Sequence, residues 1–113
     1  MKVGIIANPF KDGVSSALLK LLEILESHKL DATVEDETIS ALDLTKRNIP
    51  ELPAKQLAKQ CDVVIVLGGD GTILDAAHRL GPTDVAVAGV NLGHLGFLTS
   101  CKDTEMELLV SSL

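Results

Sequence analysis

Tryptophan and tyrosine are absent and phenylalanine occurs only at Phe10 and Phe97, so the chain has little aromatic surface for stacking bases or sugars. The two cysteines, Cys61 and Cys101, show no CxxC spacing and no histidine at a zinc-finger interval. Buried free thiols in a reducing compartment are the simpler account. No apolar run approaches the roughly 18 residues of a membrane span. The apolar stretch near the amino terminus, residues 3–7, is far too short for a signal peptide, and a cytoplasmic location is expected. Basic side chains are in deficit, 10 against 16 acidic ones, for a formal net charge of -6. That balance argues against nucleic acid or an anionic membrane as partner. Any bound phosphate must then rely on backbone dipoles, a metal ion or a few local cations.

Several phosphate signatures are missing as well. There is no Gly-Lys dipeptide, which excludes a Walker A loop. The dinucleotide pattern G-x-G-x-x-G fails because Leu74 stands where Gly69 and Gly71 would require a third glycine. The first strand ends in Asn8-Pro9 and not in an acidic pair, which counts against a phospho-acceptor receiver domain.

What is present is one domain's worth of chain. The 113 residues, 46% hydrophobic and 23% charged, are those of a soluble globular protein, and folding would bury roughly 65% of the extended chain's surface. Lys2–Ala7 reads as a buried strand. From residue 15 or 16 to 28, Ala17, Leu18, Leu21, Leu22 and Leu25 recur at three and four, an amphipathic helix. Asp31–Glu35 alternates weakly and predicts a more exposed strand. Residues 36–53 are polar, with helical fragments around 41–44 and the breakers Pro50 and Pro53. Pro53 suits the first position of a short helix through Leu57, Ala58 and Cys61. Residues 63–67 form an all-apolar strand, buried on both faces. Thr72 is placed to cap a helix carried by Ile73, Ala76, Ala77 and Leu80, which Gly81-Pro82 stops. Residues 85–90 form another apolar strand, and Thr104 to Glu107 has capping-box spacing before the apolar residues 108–113. His28 and His78 lie on helices and are expected to be solvated, and His94 to be exposed.

Alternation of strands and helices predicts an α/β fold, an open, mostly parallel sheet with helices on both faces. Ligands bind beyond the carboxyl ends of such strands, where the loops 8–13, 68–72 and 91–96 share one edge. The last helix runs to Leu113 without a glycine stop or a basic turn, the pattern of a chain cut from a longer one.

The stretch VVIVLGGDGTIL, residues 63–74, carries the clearest chemistry. Gly68, Gly69 and Gly71 bring backbone N–H groups close to a ligand, and the helix opening at Thr72 adds unpaired N–H groups and about half a positive charge. This is an anion seat. A tight turn also favours Gly, Asp and Thr, but three glycines and an acid in four positions after a buried strand favour function. Asp70 inside that seat either holds a divalent cation bridging to phosphate or accepts the proton of an attacking hydroxyl. As a plain structural element it is a turn aspartate bonded to its own backbone. NLGHLGFLT, residues 91–99, is the second signal: Gly93 and Gly96 permit a bent backbone, Asn91 offers an amide, and Phe97 and Leu98 suit a nucleotide-base wall. Lys11 is the best local candidate for a phosphate cation.

Together, GGDGT at 68–72, NLGHLGFLT at 91–99 and the opening KVGIIANP resemble the NAD kinase family, which phosphorylates NAD to NADP. The first motif alone also occurs in lipid kinases and phosphofructokinases; the pair at this spacing is far more specific. The resemblance implies a Rossmann-like or phosphofructokinase-like sheet and a phosphotransferase with an alcohol acceptor. It makes Asp70 the base toward the 2′-hydroxyl of the adenosine ribose. It also implies nucleotide contacts from Gly68, Gly69, Asp70, Gly71 and Thr72, and from Asn91, Gly96, Phe97, Leu98 and Thr99, with Phe97 lining the cleft. ATP or inorganic polyphosphate serves as donor in such enzymes, with a divalent cation, magnesium, and the full-length parent is expected to be a homo-oligomer. Asp75 departs from the family, many members of which carry a basic residue there. The family continues into a β-rich second domain whose Asn-Glu pair grips the NAD ribose, and this chain has no such dipeptide. An amino-terminal domain with little or no activity of its own is therefore expected. Alternatives are another GGDGT kinase acting on a lipid or sugar hydroxyl, and a non-catalytic nucleotide-binding module.

Overall fold

A computed structural model describes residues 1–93, 96, 98, 99 and 101–113. In chain order the elements are β1 (Lys2–Ala7), α1 (Val14–Ser27), β2 (Asp31–Glu35), α2 (Asp36–Ala41), β3 (Glu51–Leu52), α3 (Ala54–Gln60), β4 (Val63–Gly68), α4 (Asp70–Leu80), β5 (Ala86–Asn91), β6 (Cys101–Lys102) and α5 (Met106–Ser111). The six strands form one sheet in the order β3-β2-β1-β4-β5-β6, and each described pairing is parallel.

The period-two alternation of the central strands divides the core into two layers. Val3, Ile5 and Ala7 of β1 and Val63, Ile65 and Leu67 of β4 face α1 through Val14, Leu18, Leu21 and Leu25, and α5 through Met106 and Val110. The intervening Ile6, Val64 and Val66 face α3 through Ala54 and Leu57 and α4 through Ala76 and Leu80. Helices therefore cover both faces, as the strand-helix alternation requires. The register is set by Ile5 opposite Ile65 and Ala7 opposite Leu67, which brings the carboxyl ends of β1 and β4 level.

Departures from the sequence expectations have local causes. Helix α2 occupies Asp36–Ala41 and not the fragments around 41–44. Asp36 and Glu37 complement its amino-terminal dipole, and Thr38 and Ile39 are buried against the sheet. Asp43 then turns with φ 55°, which lets Leu44 drop into the core. Helix α1 starts at Val14, one or two residues early, where the Ala17 N–H bonds the Gly13 carbonyl at 2.9 Å. The amino-terminal half of β5 is exposed, since among the described residues β6 pairs only with Val90 and Asn91. Ahead of α5 the Glu105 carboxylate accepts the Lys102 N–H at 3.0 Å, so that cap lies two residues before the Thr104 to Glu107 spacing. His28, expected to be solvated, is exposed but bonds Glu107 of α5 through Nε2 at 2.7 Å; His78 is exposed.

Cys61 is buried and Cys101 half-buried, and both are free. Burial pushes the Cys61 thiol above its ordinary pKa. Burial does the same for Cys101, helped by Glu105 and Asp103. Among the described residues no helix is long and apolar enough to cross a membrane.

Candidate active site

From β1 the chain runs outward to β2 and β3, then returns to the other side of β1 to lay down β4, β5 and β6. Loops leaving β1 and β4 therefore diverge, and the crevice between them is the topological switch point where open α/β sheets bind ligands. A cleft of about 700 Å³ opens there, lined on one side by Ala7 to Lys11, on the other by Gly69 to Thr72, and along its wall by Thr38, Asp75 and Arg79.

The glycine motif is tighter than its sequence indicates. Helix α4 begins at Asp70, with Gly69 as its N-cap, three residues before the Thr72 cap that the sequence predicts. Thr72 acts from inside the first turn: its Oγ1 accepts the Gly69 N–H at 3.4 Å. Its side chain lies so close to Gly68 that a methyl group there would sit 2.7 Å from Thr72 Cβ. Asp70 and Gly71 consequently occupy the first turn of an 11-residue helix, where the helix dipole favours an anion.

The two motifs brace each other. Gly68 pairs in register with Asn91, and the Leu92 N–H bonds the Gly68 carbonyl at 3.1 Å. Across the motifs, the Leu98 N–H donates to Asp70 Oδ1 at 2.9 Å. Gly96 packs so closely on that carboxylate that an added methyl would lie 2.7 Å from Asp70 Cγ, hence no larger residue fits. Thr99 Oγ1 accepts the Gly96 N–H at 3.0 Å, and buried Asn91 turns its Oδ1 to the Gly93 N–H at 2.7 Å. Gly69, Asp70, Gly71 and Thr72 thus line the cleft, while Gly68, Asn91, Gly96, Leu98 and Thr99 do not, and of these Gly96 and Leu98 meet the Asp70 carboxylate. Phe97 and His94 lie outside the described residues.

The cleft wall also holds residues that belong to neither motif. Glu35, at the carboxyl end of β2, is fully buried. Arg79 of α4 grips it with Nε and Nη2, each at 2.8 Å. The Thr38 hydroxyl donates to Glu35 Oε1 at 2.9 Å and accepts the Ala7 N–H at 3.2 Å. The third guanidinium nitrogen, Nη1, pairs with Asp75. Two signals were available: an acid at a strand's carboxyl end, and the i,i+4 spacing of Asp75 and Arg79. Among the described residues no group of three or more His, Cys, Asp or Glu side chains converges to hold a metal ion.

Residues 3–111 match the family model described as the ATP-NAD kinase N-terminal domain. The chain is 37% identical to an NAD kinase of Chromohalobacter salexigens over 105 residues, 93% of this chain and 35% of that protein. It is 37% identical over 111 residues to an NAD kinase of Alcanivorax borkumensis, 98% of this chain and 36% of that protein. An NAD kinase of Aeromonas salmonicida is 39% identical over 97 residues, 86% of this chain and 32% of that protein. The chain therefore spans about a third of the length of the curated relatives it matches. Among solved structures, yeast NADH kinase complexed with NADH has the same fold at a TM-score of 0.79 and 23% identity, covering 99% of this chain and 38% of that one.

Proposed function

Because the chain belongs to the NAD kinase family, as its ATP-NAD kinase N-terminal domain, we propose that it supplies the phosphoryl-transfer half of an NAD kinase active site. The observation that carries this is the position of Asp70. A carboxylate at a helix start that favours anions would oppose phosphate binding if it had no other task, yet here it is built in, with Gly96 cleared for it and Leu98 N–H directed at it.

The amides of Gly71 and Thr72 at the start of α4 receive the phosphates of ATP or polyphosphate. Asp70 faces the acceptor side and takes the proton of the adenosine ribose 2′-hydroxyl as that oxygen bonds to the terminal phosphorus. The bond from phosphorus to the bridging oxygen breaks, and the shortened phosphate leaves. Magnesium would be brought by the donor and would offset the charge of its phosphates. The nucleotide wall from Phe97 and Leu98, an Asn-Glu grip on the ribose from the rest of a family member's length, a cytoplasmic setting and a homo-oligomer complete the proposal.

The test is to supply the full-length protein with ATP, magnesium and, separately, NAD, a sugar phosphate and diacylglycerol. NADP formation is the expected result. Phosphorylation of only a sugar or lipid would replace the proposal with the corresponding kinase, and tight ATP binding without any transfer would leave a nucleotide-binding module. Residues 1–113 alone are expected to form little or no NADP in the same assay.

A further inference from the structure

We propose that Phe10 and Lys11, on the lip of the switch-point cleft, recognise the phosphoryl donor as a nucleoside triphosphate, with the Phe10 ring stacking on the nucleobase and Lys11 meeting the phosphates. The inference rests on the kinase reading above and assigns the donor's end of that site.

Phe10 is 92% exposed in a chain with only two aromatic residues, and it lines the cleft. Its backbone is anchored. The Asn8 N–H bonds the Leu67 carbonyl of β4 at 2.9 Å, and Asn8 Oδ1 accepts the Phe10 N–H at 3.0 Å. A ring held in water on a fixed backbone at the mouth of a cavity presents the flat apolar face that bases stack upon.

The cation follows from accounting for positive charge. Lys11 and Arg79 are the basic residues in the cleft lining. All three guanidinium nitrogens of Arg79 are engaged by Glu35 and Asp75. Lys11 forms no ion pair among the described residues, which leaves its ammonium available to an incoming phosphate.

Donor and not acceptor is assigned from the direction of Asp70. Its carboxylate is directed at Gly96 and Leu98 of the second motif, and none of the described residues of that motif lines the cleft. In-line transfer sets attacking and leaving oxygens on opposite sides of the phosphorus. An acceptor hydroxyl against Asp70 on the second-motif side thus places the leaving nucleotide on the side of Phe10 and Lys11.

The experiment titrates the full-length protein with ATP, inorganic triphosphate and NAD by calorimetry, for the parent and three variants. Phe10→Ala should weaken ATP binding about tenfold, the size of one base–aromatic stack, while affinity for triphosphate, which has no base, stays unchanged. Phe10→Trp should restore ATP affinity, and Lys11→Gln should weaken both ATP and triphosphate. Since both side chains are exposed, unchanged thermal unfolding should accompany each substitution. Undiminished ATP affinity in Phe10→Ala overturns the stacking role, a loss confined to NAD reassigns the ring to the acceptor and overturns the proposal, and unchanged triphosphate affinity in Lys11→Gln overturns the phosphate contact. Should the acceptor assay yield only a non-NAD product, the NAD assignment falls while these ATP titrations still judge donor recognition.

Discussion

Asp70 is held by a bond that an amide side chain can also accept, and this makes one substitution diagnostic. In Asp70→Asn the side-chain oxygen still receives the Leu98 N–H, and the helix start still presents its N–H groups to phosphate. What disappears is the proton acceptor, so turnover should fall by about 10²- to 10⁴-fold, while calorimetric affinities for ATP and NAD change little. Unaltered turnover would remove Asp70 from the chemistry. Gly96→Ala tests the same carboxylate from behind. Its methyl cannot coexist with Asp70 where it stands, so NADP formation should drop sharply with only a modest change in melting temperature, because residue 96 is half-buried and outside both core layers. Both motifs were legible in the sequence, since glycine spacing after an apolar strand specifies close backbone approach. Their mutual support was not: the contact from Leu98 to Asp70 joins residues 28 apart, and nothing in either motif names its partner.

Among the elements, the junction of β2, α2 and α4 depends on one buried charge. Glu35 exposes 1% of its side chain, and Arg79, with 29% exposed, is its counter-ion. Removing one partner of a buried pair leaves an uncompensated charge, so Arg79→Ala should lower stability by roughly 3–5 kcal/mol in chemical denaturation of the full-length protein. Adding Glu35→Gln to that variant should recover a substantial part of the loss, since an amide is far cheaper to bury than a carboxylate. A double variant no more stable than Arg79→Ala would show that the cost arises from lost packing. This junction also explains which elements sequence patterning reached. β1, α1, β4 and α4 carry long apolar runs or a clear three-four repeat and were legible to within three residues. Helix α2 was not, because its six residues hold too little periodicity, and Thr38 and Ile39 are buried only once the sheet is there to receive them.

At the scale of the whole molecule, the return of the chain across β1 places the cleft over β1 and β4, the two central strands of the sheet, with helices on both faces. All six residues of β4 are buried, as are five of the six in β1, whereas two-residue β3 forms an edge among the described strands with neither residue buried. Local opening should therefore be rare at the centre and frequent at that edge. Hydrogen exchange on the full-length protein should find the slowest amides at residues 3–7 and 63–67 and fast exchange at 51–52. Uniform protection across these segments would mean that the sheet opens only as a unit. Addition of ATP should slow exchange in the loops 8–13 and 68–72, which carry the cleft-lining residues Asn8 to Lys11 and Gly69 to Thr72, and at 63–67, because amides that open only with the whole fold gain the binding free energy, and leave 51–52 unchanged, because that edge opens without the cleft. The contrast follows from the architecture: β1 and β4, which deliver Asn8 and Gly69 to the site, are the buried centre of the sheet, so binding is coupled to opening of the frame and not to opening of the β3 edge.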